Sequence, residues 1–151
     1  MTARTNAGTA LAIGSTQTST LTDVYTNIGD IRSLGDFGRV YDEIIHSALD
    51  TRNVQKYKGQ RNDGNIEVEM AYDPADTGQD ALLTALDSDS DYNFRLTMND
   101  ASSTSGSHGT LLHFKAKVMT AVRRYGDANN IIRLSCTLGI KTGSGTLTEA
   151  T

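Results

Sequence analysis

Ile66-Glu67-Val68-Glu69-Met70, then Tyr72-Asp73-Pro74-Ala75-Asp76-Thr77-Gly78-Gln79-Asp80-Ala81-Leu82-Leu83-Thr84-Ala85-Leu86, then Phe94-Arg95-Leu96-Thr97-Met98 make one passage whose reading decides the fold. The first segment alternates apolar and acidic residues, the period-two pattern of a half-buried strand. The second switches to helical spacing: Ala81, Leu82, Ala85 and Leu86 form a narrow apolar stripe that suits docking on a sheet. Asp73 or Asp76 can cap the free N–H groups, and Pro74 fits an early position where its missing N–H costs nothing. The third segment returns to alternation. The passage therefore predicts strand, one short helix near residues 75–87, strand.

Outward from that passage the pattern stays β-rich. Thr9 to Ile13 predicts a short strand within an extended N-terminal arm, residues 1–20, rich in Thr, Ala, Gly and Ser. Val24 to Leu34 holds strand-like pieces broken at Gly29-Asp30, and Gly35-Asp36-Phe37-Gly38 marks a turn. Val40 to His46 predicts a strand. Ser47 to Gly64 is long and polar, a loop ending in the turn signal Asn62-Asp63-Gly64; loops of that length are usually functional or disordered. Asn99 to Gly109 is low in complexity and predicts a mobile hairpin tip. Leu112, Phe114, Ala116 and Val118 line one face of a long strand, Leu111 to Arg124. After the turn Gly126-Asp127-Ala128-Asn129, the residues Ile132, Leu134, Cys136, Leu138 and Ile140 line another. Residues 141–151 read as a polar C-terminal arm. The expected architecture is mainly β, a β-sandwich or barrel spanning 21–140 with one flanking α-helix.

Size and composition narrow the function. A chain of 151 residues reads as one domain and can bury roughly 68–70% of its unfolded surface. The net charge of -4 argues against a dedicated nucleic-acid binder, which is normally basic, while allowing a protein that stays near DNA without gripping it. Cys136 is the single cysteine, so no internal disulfide forms. Met1 to Ser19 lacks the apolar core of a secretory signal, and no apolar run reaches the roughly 20 residues of a membrane helix.

Catalytic and metal patterns are weak. Asp87, Asp89 and Asp91 have the spacing that opens a calcium loop, yet its sixth and twelfth places hold Tyr92 and Met98 instead of Gly and an acid. His46, His108 and His113 read as surface histidines, Cys136 as a small buried apolar residue, and Arg123-Arg124-Tyr125 as a solvated strand end. No nucleophile elbow and no phosphate-binding loop occurs. The expectation is a protein with no cofactor, no metal and no catalytic residue.

The order of the motifs resembles the tail tube proteins (major tail proteins) of long-tailed phages with non-contractile tails. Leu11-Ala12-Ile13-Gly14 resembles that family's first strand and Ile28-Gly29-Asp30-Ile31 its next. Leu49-Asp50-Thr51, Lys56-Tyr57 and Gly59 resemble its long hairpin loop, with Asp63-Gly64 at the loop's end. The helix start, Tyr72, Asp73, Pro74, Asp76, Gly78 and Gln79, is the most specific piece, and Phe94-Arg95-Leu96-Thr97 follows at the family's distance. Lys58 and Asn65 depart from common family choices.

The resemblance implies the tail-tube fold shared with secretion-system tubes, no enzymatic activity, and six copies in a ring whose inner sheets join into one barrel. Rings stack into a virion tail tube through which the genome is ejected. The implied partners are further copies of the chain, a tape measure protein, a tail terminator and tail tip or baseplate proteins. DNA crosses the lumen without specific binding, no membrane is involved, and synthesis is in a host bacterial cytoplasm. A ring protein of a secretion system or of a phage-derived particle is the nearest rival reading, a monomeric binding module the more distant one.

Two surfaces follow as expectations. Ser47–Gly64, with Arg52, Lys56, Tyr57, Lys58 and Arg61, is expected to contact the next ring, opposite acids such as Asp87, Asp89 and Asp91. Glu67 and Glu69, opposite Ile66, Val68 and Met70 on their strand, are expected to face the lumen. Lys115, Lys117, Arg95 and Arg133 share that kind of position on their own strands. Both arms are expected to gain order on assembly.

Overall fold

The computed structural model describes residues 3–151; the first two residues of the expected N-terminal arm, Met1 and Thr2, lie outside the described residues. The elements in chain order are β1 (Ala10–Ile13), β2 (Thr26–Asn27), β3 (Ile31–Leu34), β4 (Val40–Ser47), β5 (Val54–Asn62), β6 (Asn65–Ala71), α1 (Thr77–Leu86), β7 (Tyr92–Thr97), β8 (Leu111–Arg124), β9 (Arg133–Ile140) and β10 (Thr146–Thr148). One antiparallel sheet runs β2-β1-β7-β8-β9-β6-β3, with β10 paired to the start of β8; β4 and β5 form a separate two-stranded ribbon. The chain is thus mainly β with one helix, as the alternation predicts.

Alternation drives the sheet to roll around one core. Ile66, Val68 and Met70 from β6, Leu112, Phe114, Ala116 and Val118 from β8, and Leu134, Cys136, Leu138 and Ile140 from β9 are all buried together. Phe94 and Phe114 are direct cross-strand partners with stacked rings 5.6 Å apart, and Phe37 from the loop after β3 closes on Phe114 at 5.5 Å. Such pairs add about 0.5–1.5 kcal/mol beyond their area. Leu82 and Ala85 of α1 complete the core. Ile132, expected with the β9 face, precedes the strand and is 37% exposed.

The two ends of the sheet path are consecutive in sequence. β2 stops at Asn27 and β3 starts at Ile31, so four residue steps, at most about 14 Å of chain, separate the two edges of a seven-strand path. The sheet must curl until those edges nearly meet, and the start of α1 fills the seam. Asp76 caps the helix: Oδ1 accepts the Gly78 N–H at 2.9 Å, and Oδ2 accepts the Gly29 N–H at 2.6 Å. Gln79 is fully buried. Its Oε1 accepts the Asp73 N–H, while Nε2 donates to Ala71 O at 2.8 Å and Gly29 O at 3.3 Å. Gly78 lies so close to the seam that a Cβ there would stand 2.3 Å from Asn27 O. Asp30, at φ 56°, turns its carbonyl to accept the Ala71 N–H. Pro74 sits outside the helix, second in a turn closed by the Asp76 N–H to Asp73 O bond, a position that its fixed φ favours.

Three further segments differ from the sequence reading. Val54–Asn62 is a strand, not a loop: β5 pairs with β4 from Val40–Asn62 to Ser47–Val54. Thr146–Thr148 pairs with Leu111–His113 of β8. His113 is not a surface histidine. It is 4% exposed, covered by the loop of residues 15–25, whose Tyr25 ring lies 5.8 Å from the imidazole. Asp23 ties that loop down through Ser15 and the Nδ2 of buried Asn93.

Gln79→Leu leaves the Asp73 N–H and two carbonyls without their side-chain partner. It should lower the unfolding free energy by about 2–4 kcal/mol. Gly78→Ala should cost about 1–3 kcal/mol through forced crowding. Urea unfolding of both variants is the check.

Burial first, and the Arg95 charge second, hold the His113 pKa below its ordinary value. The unfolded chain then binds a proton near pH 6.5 that the fold refuses, so stability falls as pH drops through about 6.5 and into the range below it. Tyr25 of the covering loop and Arg95 of β7 face the ring; Thr146 of β10 pairs from the other side. His113→Gln should flatten the fall in melting temperature between about pH 7.5 and pH 5.5.

Candidate functional site

The face of β3, β6, β9 and β8 turned away from the core carries charged side chains of both signs, Glu67, Glu69, Arg124 and Arg133 among them. The antiparallel register sets it row by row. Glu67 stands beside Thr137, which pairs with Thr120; Ser33, Glu69, Ser135 and Val122 form the next row; Ala71, Arg133 and Arg124 the third. These residues, Ala71 apart, line a trough of about 340 Å³. Glu67 and Glu69 therefore lie on the face opposite Ile66, Val68 and Met70, as the alternation of β6 requires.

The register also brings arginines to that face. Glu69 Oε1 receives Arg32 Nη1 at 3.3 Å and Arg133 Nη1 at 3.2 Å. Arg124 reaches the face because the register shifts between Val118 and Thr120. That irregularity turns Thr120, Val122 and Arg124 outward and sends Ala121 towards the core. Of the remaining cations of the sequence reading, Lys115 Nζ donates to Gln17 O, Arg95 lies over the Tyr25 ring at 4.8 Å, and Lys117 stands one row beyond Glu67 on the same face, beside Gly139 and Asn65. Arg123 packs over Tyr72 at 4.8 Å.

The β4–β5 ribbon is the second candidate surface. Val40, Tyr41, Ile44, Ile45, Leu49, Val54 and Tyr57 are all exposed on it. Its register shifts between the Tyr41–Arg61 and Glu43–Lys58 pairs, where Gly59 and Gln60 oppose Asp42 alone. A Cβ on Gly59 would meet Asp42 O at 3.1 Å. The ribbon's cations are largely engaged in their own chain. Lys56 pairs with Glu43 at 2.9 Å, Lys58 lies over the Tyr41 ring, and Arg61 makes two bonds to buried Asp63, at 2.7 and 2.8 Å. Those bonds, with the Gly143 N–H, hold the Asp63 carboxyl below the usual carboxylate range. Arg52 stands at the ribbon's tip, between β4 and β5, and Tyr57 OH donates to Gln55 Oε1. Asp91, one of the acids expected opposite the ribbon, lies 3.7 Å from Lys141.

The helix-start residues serve the seam. Asp73, Asp76, Gly78 and Gln79 bind chain to chain there, Pro74 makes the preceding turn, and Tyr72 donates its N–H to Ile132 O. Cys136 is buried, which pushes its thiol up to about 11, far from a nucleophile's range. Among the described residues, no three His, Cys, Asp or Glu side chains converge as metal ligands, and no helix is long and apolar enough to cross a membrane.

No protein-family profile matches the chain, and no curated protein matches it. Solved structures do. The sheath/tube terminator of an extracellular contractile injection system, PVC, in its extended state aligns with a TM-score of 0.72 at 15% identity, covering 98% of each chain. A chain from the virion of a native gene transfer agent particle aligns at 0.67 with 11% identity, over 97% of this chain and 99% of that one. The SPP1 tail tube aligns at 0.67 with 15% identity, over 93% and 77%. The fold is that of these tube proteins, along the whole chain.

A two-stranded ribbon without a packed face is marginal in water. Hydrogen exchange on the free subunit should therefore show the β4–β5 amides protected far less than those of β6, β8 and β9. Equal protection would mean that the ribbon is already covered.

Proposed function

We propose that this chain is a tail tube protein: a non-enzymatic subunit that closes into rings, stacks, and leaves a bore through which DNA leaves a phage or phage-derived particle. The observation that carries the reading is the likeness, over 93–97% of the chain, to chains from a sheath-tube complex, a gene transfer agent tail and a phage tail tube. The sheet edges supply its mechanics. β7 and β10 pair only with the first part of β8, so residues 117–124 have a partner on one side alone, β9, and β3 pairs only with β6 among the described residues. The four strands that carry the trough are thus open at both edges. Open edges favour pairing with another chain. A head-to-tail contact repeated around an axis closes into a ring, and here it would join the β8 edge of one copy to the β3 edge of the next.

On this reading the trough face lines the bore, with Glu67 and Glu69 on it, and the β4–β5 ribbon reaches the adjacent ring. The ribbon's exposed apolar side chains then gain cover, and Arg52 at its tip sets register by charge rather than adding much affinity. Residues 3–8, ahead of β1, are the part of the two arms that gains order on assembly, since residues 14–17 and 141–144 are already bonded within the subunit. Tape measure, terminator and tip or baseplate proteins are the further partners.

A second reading has its own support. Several aligned chains come from a terminator, a baseplate and a tube-terminating cap, so a tube-end subunit fits the same fold. Copy number in the particle separates the two: many rings for a tube subunit, one or two for an end protein.

Electron microscopy of the purified protein should show rings or tubes. Replacing residues 42–60 by a short Gly-Ser turn, which keeps the Arg61–Asp63 pair, should leave the sheet folded, by circular dichroism and melting, and stop tube growth. Tubes of normal length from that variant would remove the ribbon from stacking, and an absence of rings or tubes from the wild type, even with its particle partners, would remove the tube reading.

A further inference from the structure

We propose that the trough on the β3–β6–β9–β8 face is a latent binding site for duplex DNA that Glu69 keeps closed. Two guanidinium groups line it, Arg133 of β9 and Arg124 of β8, and a third, Arg32 of β3, reaches the same Glu69 carboxylate from the neighbouring strand. Guanidinium forks suit phosphate oxygens better than any other side chain, and Ser33, Thr120, Ser135 and Thr137 add hydroxyls along the same wall. Three arginines against two glutamates leave the local charge positive, so repulsion by net charge does not keep phosphate out.

The geometry points to occupancy instead. One carboxylate oxygen of Glu69 accepts an N–H from Arg32 and forms an ion pair with Arg133 Nη1 at 3.2 Å. Arg124 and Arg133 are direct cross-strand neighbours, an arrangement that repels, and Glu69 draws Arg133 to the side of β6. Glu67 has no ion-pair partner among the described residues, although it lies on the same strand face two residues away. The two glutamates therefore carry equal charge and unequal roles: Glu69 uses up phosphate donors and Glu67 does not. All of these groups are partly solvent-exposed, so phosphate reaches the arginines once the carboxylate is gone. The meaning for DNA passage rests on the conduit reading, because a bore repeats each phosphate contact around and along the tube. The chemistry belongs to the single subunit and is tested there.

The experiment measures binding of a short labelled duplex DNA to the full-length subunit across a salt series. Wild type should bind weakly. Glu69→Gln should bind tighter, with the slope of log K against log salt steeper by about 2, since each phosphate contact contributes about 0.9. Glu67→Gln changes net charge equally and should move the slope by less than half as much. Glu69→Asp keeps the charge but withdraws the carboxylate by one methylene, so it should also steepen the slope. Adding Arg32→Gln and Arg133→Gln to Glu69→Gln should restore wild-type behaviour. Equal effects of Glu67→Gln and Glu69→Gln, or no effect of Glu69→Gln or Glu69→Asp, would overturn the inference. Tubes assembled from Glu69→Gln subunits give the separate reading: subunits that bind DNA tighter while their tubes pass DNA freely would place the trough outside the bore and leave the site inference standing.

Discussion

The seam between β2 and β3 is the constraint on which the rest of the structure depends. A sheet rolled around one core must bring its first and last strands together, and the chain spans that gap in the three residues Ile28, Gly29 and Asp30. Bent backbone at such a point leaves polar groups without sheet partners, and burying them unpaired is costly. Asp76 and Gln79 supply the missing partners from outside the sheet, one to Gly29 N–H and the other to Gly29 O and Ala71 O. The helix is needed because it holds a cap and a buried amide at fixed spacing against the turn. That explains why a mainly β chain keeps one ten-residue helix, and why any side chain at position 78 would crowd the seam.

With the seam closed, β6 is fixed between β3 and β9, and every residue of β6 has an assigned face. Glu69 then falls within reach of Arg32 on one neighbour and Arg133 on the other. The charge arrangement of the outer face is thus a consequence of sheet closure: a slip of one residue in β6 would exchange Glu69 for a core residue. Isolated exposed ion pairs contribute little to stability, so the value of this triad lies in which donors it leaves free.

Much of this was legible in the sequence wherever one face of an element is buried. β6, β7, β8 and β9 announce themselves by alternation, and α1 by its cap and its stripe. The ribbon strand β5 was not legible, because Val54-Gln55-Lys56-Tyr57-Lys58 has no core face to enforce alternation, and the same polarity reads as a loop. Arg124 was hidden by the register shift after Val118, which reverses the phase of the strand's last residues. Arg32 and Glu69 meet through a pairing of strands thirty-seven residues apart in sequence, which periodicity cannot reveal. His113 follows the alternation correctly onto the outer face, and only the tertiary placement of the residue 15–25 loop buries it. The helix-start residues were recognised as a motif by resemblance; their work at the seam is visible only in three dimensions.

The open features of the subunit all concern edges and faces that a single copy leaves unsatisfied. A ribbon with apolar side chains on it, a four-strand section unpaired at both edges and a polar trough between those edges would each be a liability in a monomer. In the proposed assembly, closing the section into a barrel would pair both edges and turn the trough inward, and stacking would cover the ribbon. A binding module gains nothing from leaving two edges open, because one added strand would satisfy only one of them. A ring satisfies both with a single contact. In that proposed ring the trough would face whatever passes through, and within the single subunit Arg32 and Arg133 are already held by Glu69. Pairing the arginines within each copy, rather than between copies, would keep the wall's chemistry the same at every ring of the proposed tube.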